Sequence, residues 1–417
     1  MKLPAKGRSA AAVLDELDAL RAQDVDWQSG RVFSLAYHAG PDVLALATEA
    51  HARLQSANAL NVAAFPSLRR MQSEVVAMVA DLLHGGPQAA GFMTTGGTES
   101  ILLAVKAARS RARERGITAP EMVLPTSAHA AFEKAAAYFD VRSVRAPVRD
   151  DWRADPRAMA DAVTPNTALL VASAPQYPQG VVDPVAEIAE IAASRDVLCH
   201  VDACMGGITL PMLERLGHRI EPWDFRVPGV TSISVDLHKY GYAAKGASVL
   251  LHRTKELRKH QTFSTDRWLG GLYASSGILG TKSGGPIAAA WAVMNHLGEE
   301  GYLRLTRIAR AATEELVAGL RAIRGVRVLA EPDTTLVAFT FEDVDAFEDV
   351  DAFAVGEALV RRRWWVDQQK PPPSLHCMVN AVHAPVIGEF LADLRAALDE
   401  VRASAAHGPQ RAYGVLE

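Results

Sequence analysis

The sequence predicts an α/β fold, in which helices cover both faces of a mostly parallel β-sheet and a smaller α+β domain follows. Between about residues 65 and 285, short runs rich in β-branched residues alternate with stretches of helical periodicity. The runs are apolar at nearly every position, which is typical of parallel strands buried on both faces. After residue 285 the alternation gives way to one long helical stretch and a few separate strands, which indicates a second architecture.

Helices are predicted before the alternating region begins. Apolar residues recur at helical spacing around Val13–Leu20 and Val43–Leu54. Another apolar stripe runs from residue 68 to residue 82 and stops at a Gly-Gly-Pro sequence, which is a strong helix terminator. We therefore treat residues 1–60 as an N-terminal helical segment and expect a further helix directly after it.

Six segments of the alternating region are predicted to be strands, with helices between several of them. The strands are Met122–Leu124, Val141–Arg145, Ala168–Ala172, Val197–Val201, Ser232–Val235 and Ser248–Leu251. The helices are Ile101–Arg113, His129–Phe139 and Val185–Ser194. Because strand–helix alternation builds parallel sheets, residues 61–285 are predicted to form one large domain.

Residues 286–417 are predicted to form a small domain of helices and strands. Its elements in order are helix Ala288–Ile323, strands Val326–Leu329 and Thr335–Phe341, helix Phe353–Arg363, strand Leu375–Val379 and helix Pro385–Ser404. One acidic hexapeptide, Glu-Asp-Val-Asp-Ala-Phe, occurs twice in succession over residues 342–353. Six residues are too few for a structural repeat, so we interpret the duplication as a lengthened acidic loop.

Length and composition exclude several classes of protein. A chain of 417 residues, 49% hydrophobic and 22% charged, is typical of a globular protein of two or three domains. Its 44 basic and 48 acidic residues give a net charge of −4, which argues against a nucleic-acid-binding protein. The three cysteines are scattered, and no apolar segment approaches the roughly 20 residues of a membrane span. We therefore expect a cytoplasmic protein without disulfides, a structural metal or a membrane segment.

A segment rich in glycine and hydroxyl residues, TTGGTES at residues 94–100, leads into an apolar helical stretch. Free N–H groups at a helix N-terminus attract anions, and Gly96 and Gly97 would let a ligand approach the backbone closely. The spacing matches neither the dinucleotide fingerprint nor the P-loop, so a different phosphate-bearing ligand is favoured. A plain helix cap at Thr98 behind a glycine turn is an equally good interpretation of the same residues.

A lysine follows a predicted buried strand in the segment SISVDLHKYGY, residues 232–242. Burial of Lys239 beside His238 would be costly unless the lysine has a chemical role. A desolvated lysine has a lowered pKa and is nucleophilic, as Schiff-base chemistry requires. The alternative is an exposed lysine at the end of a strand.

An aspartate and a histidine complete a set of residues that suits one cofactor. Asp202 directly follows the strand Val197–Val201, at the edge where open α/β sheets bind ligands. His129 opens a predicted helix. Pyridoxal 5'-phosphate requires an anion site, a ring-stacking partner, a carboxylate for its ring nitrogen and a lysine for its aldehyde. No metal is expected, because His200 and Asp202 have no further ligands at suitable spacing.

Nine segments, in order along the chain, resemble the sphingosine-1-phosphate lyases, a branch of the group II decarboxylase-like, fold-type I pyridoxal phosphate enzymes. They are residues 65–70 (FPSLRR), 95–102 (TGGTESIL), 127–132 (SAHAAF), 200–204 (HVDAC), 224–227 (DFRV), 230–234 (VTSIS), 238–243 (HKYGYA), 273–275 (YAS) and 280–285 (GTKSGG). The resemblance runs from about residue 30 to the last helix. It implies the fold-type I transferase fold, with a mostly parallel sheet of the seven-stranded type, and a bacterial-type member without a membrane anchor.

The resemblance implies roles for the cofactor residues. Lys239 would bind the cofactor aldehyde, Asp202 would pair with the pyridine nitrogen and His129 would stack on the ring. The residues that would contact the cofactor phosphate are Gly96, Gly97, Thr98 and His238. Gly280 and Thr281 match a loop that reaches this phosphate from the neighbouring subunit, which implies a homodimer with shared active sites.

The resemblance also implies substrate contacts, with one departure. Tyr177 matches a position near the reacting part of the substrate, while Tyr37 and Lys245 match positions that hold the substrate phosphate. Asn61 stands where the family usually has a histidine for that phosphate, and asparagine donates a hydrogen bond without a charge. The family's usual Ser-Arg after Gly280 is Thr-Lys here. The change at Asn61 concerns the substrate phosphate and not the cofactor.

The function that the resemblance implies is that of an aldehyde-lyase of the sphinganine-1-phosphate aldolase type. Retro-aldol cleavage of a phosphorylated long-chain base would give a long-chain aldehyde and phosphoethanolamine, with Tyr177 or the released Lys239 as base for the C3 hydroxyl. The main alternative is a pyridoxal phosphate-dependent amino-acid decarboxylase, which would use the same cofactor residues. A cofactor-binding protein without turnover is a third possibility. Tyr37 and Lys245 favour the lyase, because its substrate brings a second phosphate.

Overall fold

The structure is a computed structural model that describes residues 2–342, 350–404, 407–409 and 411. Its helices are α1 (Ala10–Arg21), α2 (Pro41–Leu54), α3 (Pro66–Leu82), α4 (Gly97–Glu114), α5 (Ala131–Phe139), α6 (Pro156–Asp161), α7 (Val185–Ser194), α8 (Gly206–Arg215), α9 (Lys255–Arg258), α10 (Gly285–Arg321), α11 (Ala352–Arg361) and α12 (Ile387–Ser404). Its strands are β1 (Ala90–Thr94), β2 (Glu121–Pro125), β3 (Arg142–Ala146), β4 (Thr167–Ser173), β5 (Leu198–Asp202), β6 (Ser232–Asp236), β7 (Ser248–His252), β8 (Phe263–Thr265), β9 (Tyr273–Ser275), β10 (Val326–Val328), β11 (Leu336–Phe341), β12 (Asp367–Gln369) and β13 (Ser374–Met378). Most of the duplicated hexapeptide, which we predicted to be an acidic loop, falls in residues 343–349 and lies outside the described residues.

The large sheet has seven strands in the order β1-β7-β6-β5-β4-β2-β3. Strands β6, β5, β4, β2 and β3 are parallel neighbours, whereas β7 pairs antiparallel with both β1 and β6. Every residue of β2, β4, β6 and β7 is buried, as is typical of strands that are covered on both faces. The predicted α/β class and mostly parallel sheet are therefore confirmed. Six of the seven strands of this sheet are predicted from the sequence, and β1 is the one that is not.

The second sheet is antiparallel, in the order β10-β11-β13-β12, and confirms the smaller α+β region near the C-terminus. A segment from the start of the chain joins it. Phe33 is fully buried in the core of this region, and its N–H donates to the carbonyl of Trp365 (2.9 Å). The neighbouring Ser34 and Tyr37 contact the same sheet, at Oδ1 of Asp367 (2.6 Å) and at the sulfur of Met378 (3.1 Å). The boundaries at residues 60 and 285 stay a prediction.

Helix α10 is interrupted, where the sequence predicts one continuous helix. Gly298 has φ 54° and ψ −171°, a combination that is essentially confined to glycine. The helical periodicity continues on both sides of this residue, so the pattern of apolar residues does not reveal the break. The prediction of an unbroken helix over residues 288–323 is therefore wrong at this residue.

Helix α1 contributes no buried residue to the core. Ser9 caps it by accepting a hydrogen bond from the Ala12 N–H (3.3 Å), yet none of the helix's residues is buried. Its apolar residues include Leu20, which is 73% exposed. In the described part of the chain, no helix is both long and apolar enough to cross a membrane.

The start of α8 packs directly against the loop that follows β4. A Cβ added at Gly206 would collide with the carbonyl oxygen of Ala174 and would lie 2.7 Å from Cδ of Pro175. Glycine at this position therefore allows the loop that carries Tyr177 to lie against the helix.

Gly206→Ala is expected to lower the free energy of unfolding by about 1–3 kcal/mol, because backbone atoms would have to move. Denaturant unfolding followed by circular dichroism measures this change. Gly388→Ala in α12 is the matched control: an added Cβ meets nothing within 4 Å there, and the gain in helix propensity is up to about 1 kcal/mol. Wild-type stability of Gly206→Ala would contradict the close approach.

Candidate active site

A cavity of about 660 Å³ lies at the carboxyl edge of the large sheet. This is the edge at which open α/β sheets bind ligands. The cavity brings together most of the site residues predicted from the sequence, which are Tyr37, Gly96, Gly97, Thr98, His129, Tyr177, Asp202, His238, Lys239 and Lys245. Asn61, Gly280 and Thr281 are not among its lining residues.

The N-terminus of α4 forms one wall of this cavity. Gly96 is the residue before the helix and no side chain caps it, so the interpretation of Thr98 as a plain cap is wrong. Glu99 holds the preceding turn by accepting hydrogen bonds from the backbone N–H (2.6 Å) and the hydroxyl (2.7 Å) of Thr95. Uncapped N–H groups at the positive end of an 18-residue helix form a site suited to a phosphate.

Lys239 projects into the cavity beside a buried carboxylate. Its Nζ lies 2.9 Å from Oδ2 of Asp236, the last residue of β6. Burial alone would lower the pKa of Lys239, but the attraction of Asp236 outweighs it and raises this pKa well above its usual value. The sequence-based expectation of a lowered pKa is therefore wrong, because it took account of burial and not of this ion pair.

Asp236 is anchored by its own contacts. The Ser248 hydroxyl on the neighbouring strand β7 donates a hydrogen bond to its Oδ1. Burial would raise the pKa of Asp236, but Lys239 and His238 hold it below its ordinary value. A Cβ added at Gly97 would lie 2.8 Å from Asp236 Oδ2 and 2.7 Å from Cys204 Sγ. The helix N-terminus can therefore lie this close to the ion pair because residue 97 is glycine.

Asp202 and His129 also line the cavity, and Asp202 lies on β5, the strand next to β6. Asp202 ends β5, and its Oδ1 accepts hydrogen bonds from the Cys204 N–H (3.1 Å) and the Ser234 hydroxyl (3.3 Å). Burial lowers the pKa of His129, whose Nδ1 accepts from the Ala131 N–H (3.1 Å). Burial therefore favours the neutral imidazole of His129 in the cavity wall, and the two hydrogen bonds fix the position of the Asp202 side chain.

Lys245 supplies a second cation to the cavity. Although the residue as a whole is exposed, its ammonium group turns inward to the carbonyl oxygens of Leu35 (2.9 Å) and His238 (3.4 Å). It also lies 5.0 Å from the ring centre of Tyr37. Loss of hydration, together with the nearby Lys239, lowers the pKa of Lys245 to about 8.

Tyr177 lies on the loop after β4 and contacts Asp367, which in turn contacts Ser34; the sequence analysis identified neither of these two residues. The Tyr177 hydroxyl donates to Oδ2 of Asp367 (2.5 Å), and the Ser34 hydroxyl donates to the other carboxylate oxygen (2.6 Å). Asp367 begins β12 in the second sheet. No motif surrounds either residue in the sequence, and only the contact between distant segments identifies them.

The three predicted residues outside the cavity lie on adjoining segments of the surface. Asn61, Gly280 and Thr281 are all exposed. The Ala59 N–H donates to the carbonyl of Lys282 (2.9 Å), which ties the two segments together. Asn61 itself accepts from the Ala63 N–H (3.1 Å). We call this region, residues 58–61 and 280–283, the outer patch.

The cavity fits pyridoxal 5'-phosphate. The volume suffices, the cradle at the start of α4 leaves no room for a Cβ at Gly97, and a Cβ at Gly96 would meet only Cε1 of His238, at 3.7 Å. Lysine, carboxylate and imidazole line the same space. Among the described residues, no group of three or more His, Cys, Asp or Glu side chains could hold a metal ion.

Comparisons with known proteins agree with this chemistry. A family model, the pyridoxal-dependent decarboxylase conserved domain, matches residues 2–342. A sphingosine-1-phosphate lyase of Arabidopsis thaliana is 42% identical over 411 residues, which cover 96% of this chain and 74% of that protein. The solved sphingosine-1-phosphate lyase of Burkholderia pseudomallei superposes with a TM-score of 0.91 at 40% identity, covering 97% of this chain and 94% of that one.

A more distant structure shares the fold alone. The glutamate decarboxylase of Lactobacillus brevis has a TM-score of 0.82 at 22% identity and covers 96% of this chain and 95% of that one. The fold therefore does not distinguish decarboxylases from lyases, whereas the closer matches, at 40–42% identity over nearly the whole chain, do. The chain belongs to the pyridoxal-dependent decarboxylase family and, within it, to the sphingosine-1-phosphate lyases.

Proposed function

We propose that this protein is a pyridoxal phosphate-dependent carbon–carbon lyase that cleaves sphingosine or sphinganine 1-phosphate to a long-chain aldehyde and phosphoethanolamine. One observation carries the proposal: Lys245 and Tyr37 share the cavity with Lys239 and the N-terminus of α4. The cavity therefore offers an anion site besides the one for the cofactor phosphate. An amino-acid decarboxylase whose substrate has no phosphate would not need this second site.

The cofactor would be held by residues from several elements. Lys239 would bind its aldehyde, Asp202 its ring nitrogen and His129 its ring face. The residues that would bind its phosphate are Gly96, Gly97, Thr98 and His238. When bound, the cofactor supplies an electron sink for the bond that breaks next to the amine-bearing carbon.

The side chains around this site differ in the protons that they carry or accept during the reaction. Lys239 must lose a proton before it can act as a nucleophile, and Asp236 is the carboxylate placed to hold the charged form (2.9 Å). His129 stays neutral, because burial lowers its pKa. Tyr177, or Lys239 once it is released, would take the proton from the C3 hydroxyl of the substrate.

We further propose a homodimer in which the outer patch of one subunit completes the cavity of the other. Its residues Asn61, Gly280 and Thr281 are exposed and do not line the cavity of their own chain, and a neighbouring copy would bring them to its own cavity. We place the enzyme in the cytoplasm, because Cys199, Cys204 and Cys377 are free and buried, as suits a reducing compartment.

Purified protein loaded with cofactor is expected to release long-chain aldehyde from sphinganine 1-phosphate, as detected by mass spectrometry. Lys239→Ala should release none, because the lysine that binds the cofactor is gone. Lys255→Ala, which removes an exposed lysine, is the matched control and should keep full activity. Release of CO2 from an amino acid, with no aldehyde from the phosphorylated base, would favour the decarboxylase instead.

The KM for sphinganine 1-phosphate is expected to rise up to about tenfold between pH 7 and pH 9, because Lys245 loses its charge as the pH passes its pKa of about 8. The cation is present below that pH and lost above it, so phosphate binding weakens as the pH rises. Lys245→Arg stays protonated over this range and should give a flat KM. An equal rise in both proteins would contradict a role for Lys245 in phosphate binding.

Subunit mixing tests the shared site. Lys239→Ala and a variant with a disrupted outer patch, Gly280→Trp, should each be inactive as homodimers. A heterodimer contains one site with an intact lysine and an intact outer patch, so random mixing should restore about a quarter of wild-type activity. Two Lys239→Ala subunits mixed as a control should restore none. No recovery in confirmed heterodimers would contradict the shared site.

A further inference from the structure

The carboxylate of Asp367 joins three distant segments of the chain, one of which carries Tyr177, a residue that lines the cavity. Tyr177 comes from the loop after β4, Ser34 from the N-terminal segment and Asp367 from the second sheet. Both carboxylate oxygens are used: Oδ2 accepts from Tyr177 (2.5 Å) and Oδ1 accepts from Ser34 (2.6 Å). Since Ser34 is fully buried, it fixes the orientation in which the carboxylate meets the phenol.

The other titratable groups near Asp367 do not replace the phenol of Tyr177 as the hydrogen-bond donor to this carboxylate. His376 lies opposite Asp367 on β13, and its ring centre is 4.4 Å from that of Tyr177. Burial lowers the pKa of His376 to about 4, so the ring is neutral and does not compete as a cation. Arg411, which lines a neighbouring cavity of about 410 Å³ with Tyr177 and Asp367, is paired with Glu357 (3.0 Å).

A phenol that donates to a carboxylate has a more basic oxygen than a free phenol, and its lone pairs are directed away from the carboxylate. Tyr177 lines both the main cavity and the neighbouring one, whereas Asp367 lines only the neighbouring one. The tyrosine therefore connects the carboxylate to the space for substrate. In this arrangement Tyr177 can accept a proton from the substrate while its own hydroxyl donates to Asp367.

We propose that Asp367 is a positioning residue for the cleavage reaction, which it assists through Tyr177; this inference rests on the proposed function. As the substrate's C3 O–H bond breaks, the proton passes to the phenol oxygen and the phenol's own proton passes to Oδ2 of Asp367. The electron pair of that O–H bond forms the C=O bond of the aldehyde. The bound cofactor would supply the electron sink for the pair of the broken C2–C3 bond.

The test uses cofactor-loaded Asp367→Asn, Tyr177→Phe and the double variant, with sphinganine 1-phosphate as substrate. Asp367→Asn is expected to lower kcat by about 10- to 100-fold with a change in KM of less than about threefold. In the Tyr177→Phe background the same substitution should change kcat by less than about twofold, because Asp367 acts through the phenol. Binding of phosphoethanolamine, which has no C3 hydroxyl, should be unchanged when followed by the visible absorbance of the cofactor.

Asp393→Asn is the matched control for the second sheet. That carboxylate accepts from Nε1 of Trp364 (2.7 Å) in the same region of the fold and lines neither of the two cavities that Tyr177 lines. It should keep wild-type kcat. Ser34→Ala provides a milder variant: it leaves the carboxylate in place, should lower kcat by a few-fold, and should have no effect in the Tyr177→Phe background.

The outcomes separate this inference from the proposed function. Wild-type kcat in Asp367→Asn, or an equal loss of kcat with and without Tyr177, would overturn the role of Asp367 and leave the lyase activity standing. A comparable loss in Asp393→Asn would overturn it too, because the effect would then be one of stability. Absence of aldehyde from the wild-type enzyme would overturn the proposed function and the role of Asp367 together.

Discussion

The ion pair between Lys239 and Asp236 is the constraint on which the rest of the site depends. Asp236 is buried and Lys239 is half-buried at the carboxyl edge of the large sheet, so loss of the lysine would leave an uncompensated charge in the protein interior. Asp236 in turn needs Ser248, which the antiparallel strand β7 places directly opposite it. Gly97 lies against the same carboxylate, where a side chain would collide. Lysine, strand order and helix N-terminus are therefore parts of one arrangement.

The second sheet is tied to this arrangement by the residue next to the lysine. The hydroxyl of Tyr240 donates to the carbonyl of Val379 (3.0 Å) and accepts from Thr335 (2.7 Å), both in the C-terminal region. The contact between Asp367 and Tyr177 joins the two regions a second time. These two contacts join the regions of the two sheets, and residues from the N-terminal segment and both sheets line one cavity.

The sequence predicts the parts of the structure that depend on local pattern. Continuous apolar runs gave six strands of the large sheet, and the glycine-rich turn before α4 indicated the phosphate site. Strand β1, Ala-Gly-Phe-Met-Thr, lacks the β-branched run that marks the others. The lowered pKa that the sequence predicts for Lys239 is wrong, because the strand pattern does not show that Lys239 turns back toward Asp236. Asp367 and Ser34 depend on pairing between distant segments, for which the sequence contains no local signal.

The most direct test of the account asks which lysine binds the cofactor. The pKa alone favours Lys245 and Lys282, both lowered to about 8 by burial, whereas the geometry favours Lys239 beside Asp202 and the start of α4. Borohydride reduction of the cofactor-loaded protein, followed by peptide mass spectrometry, identifies the modified residue. We expect the cofactor on Lys239. Modification of Lys245 or Lys282 in its place would contradict this expectation.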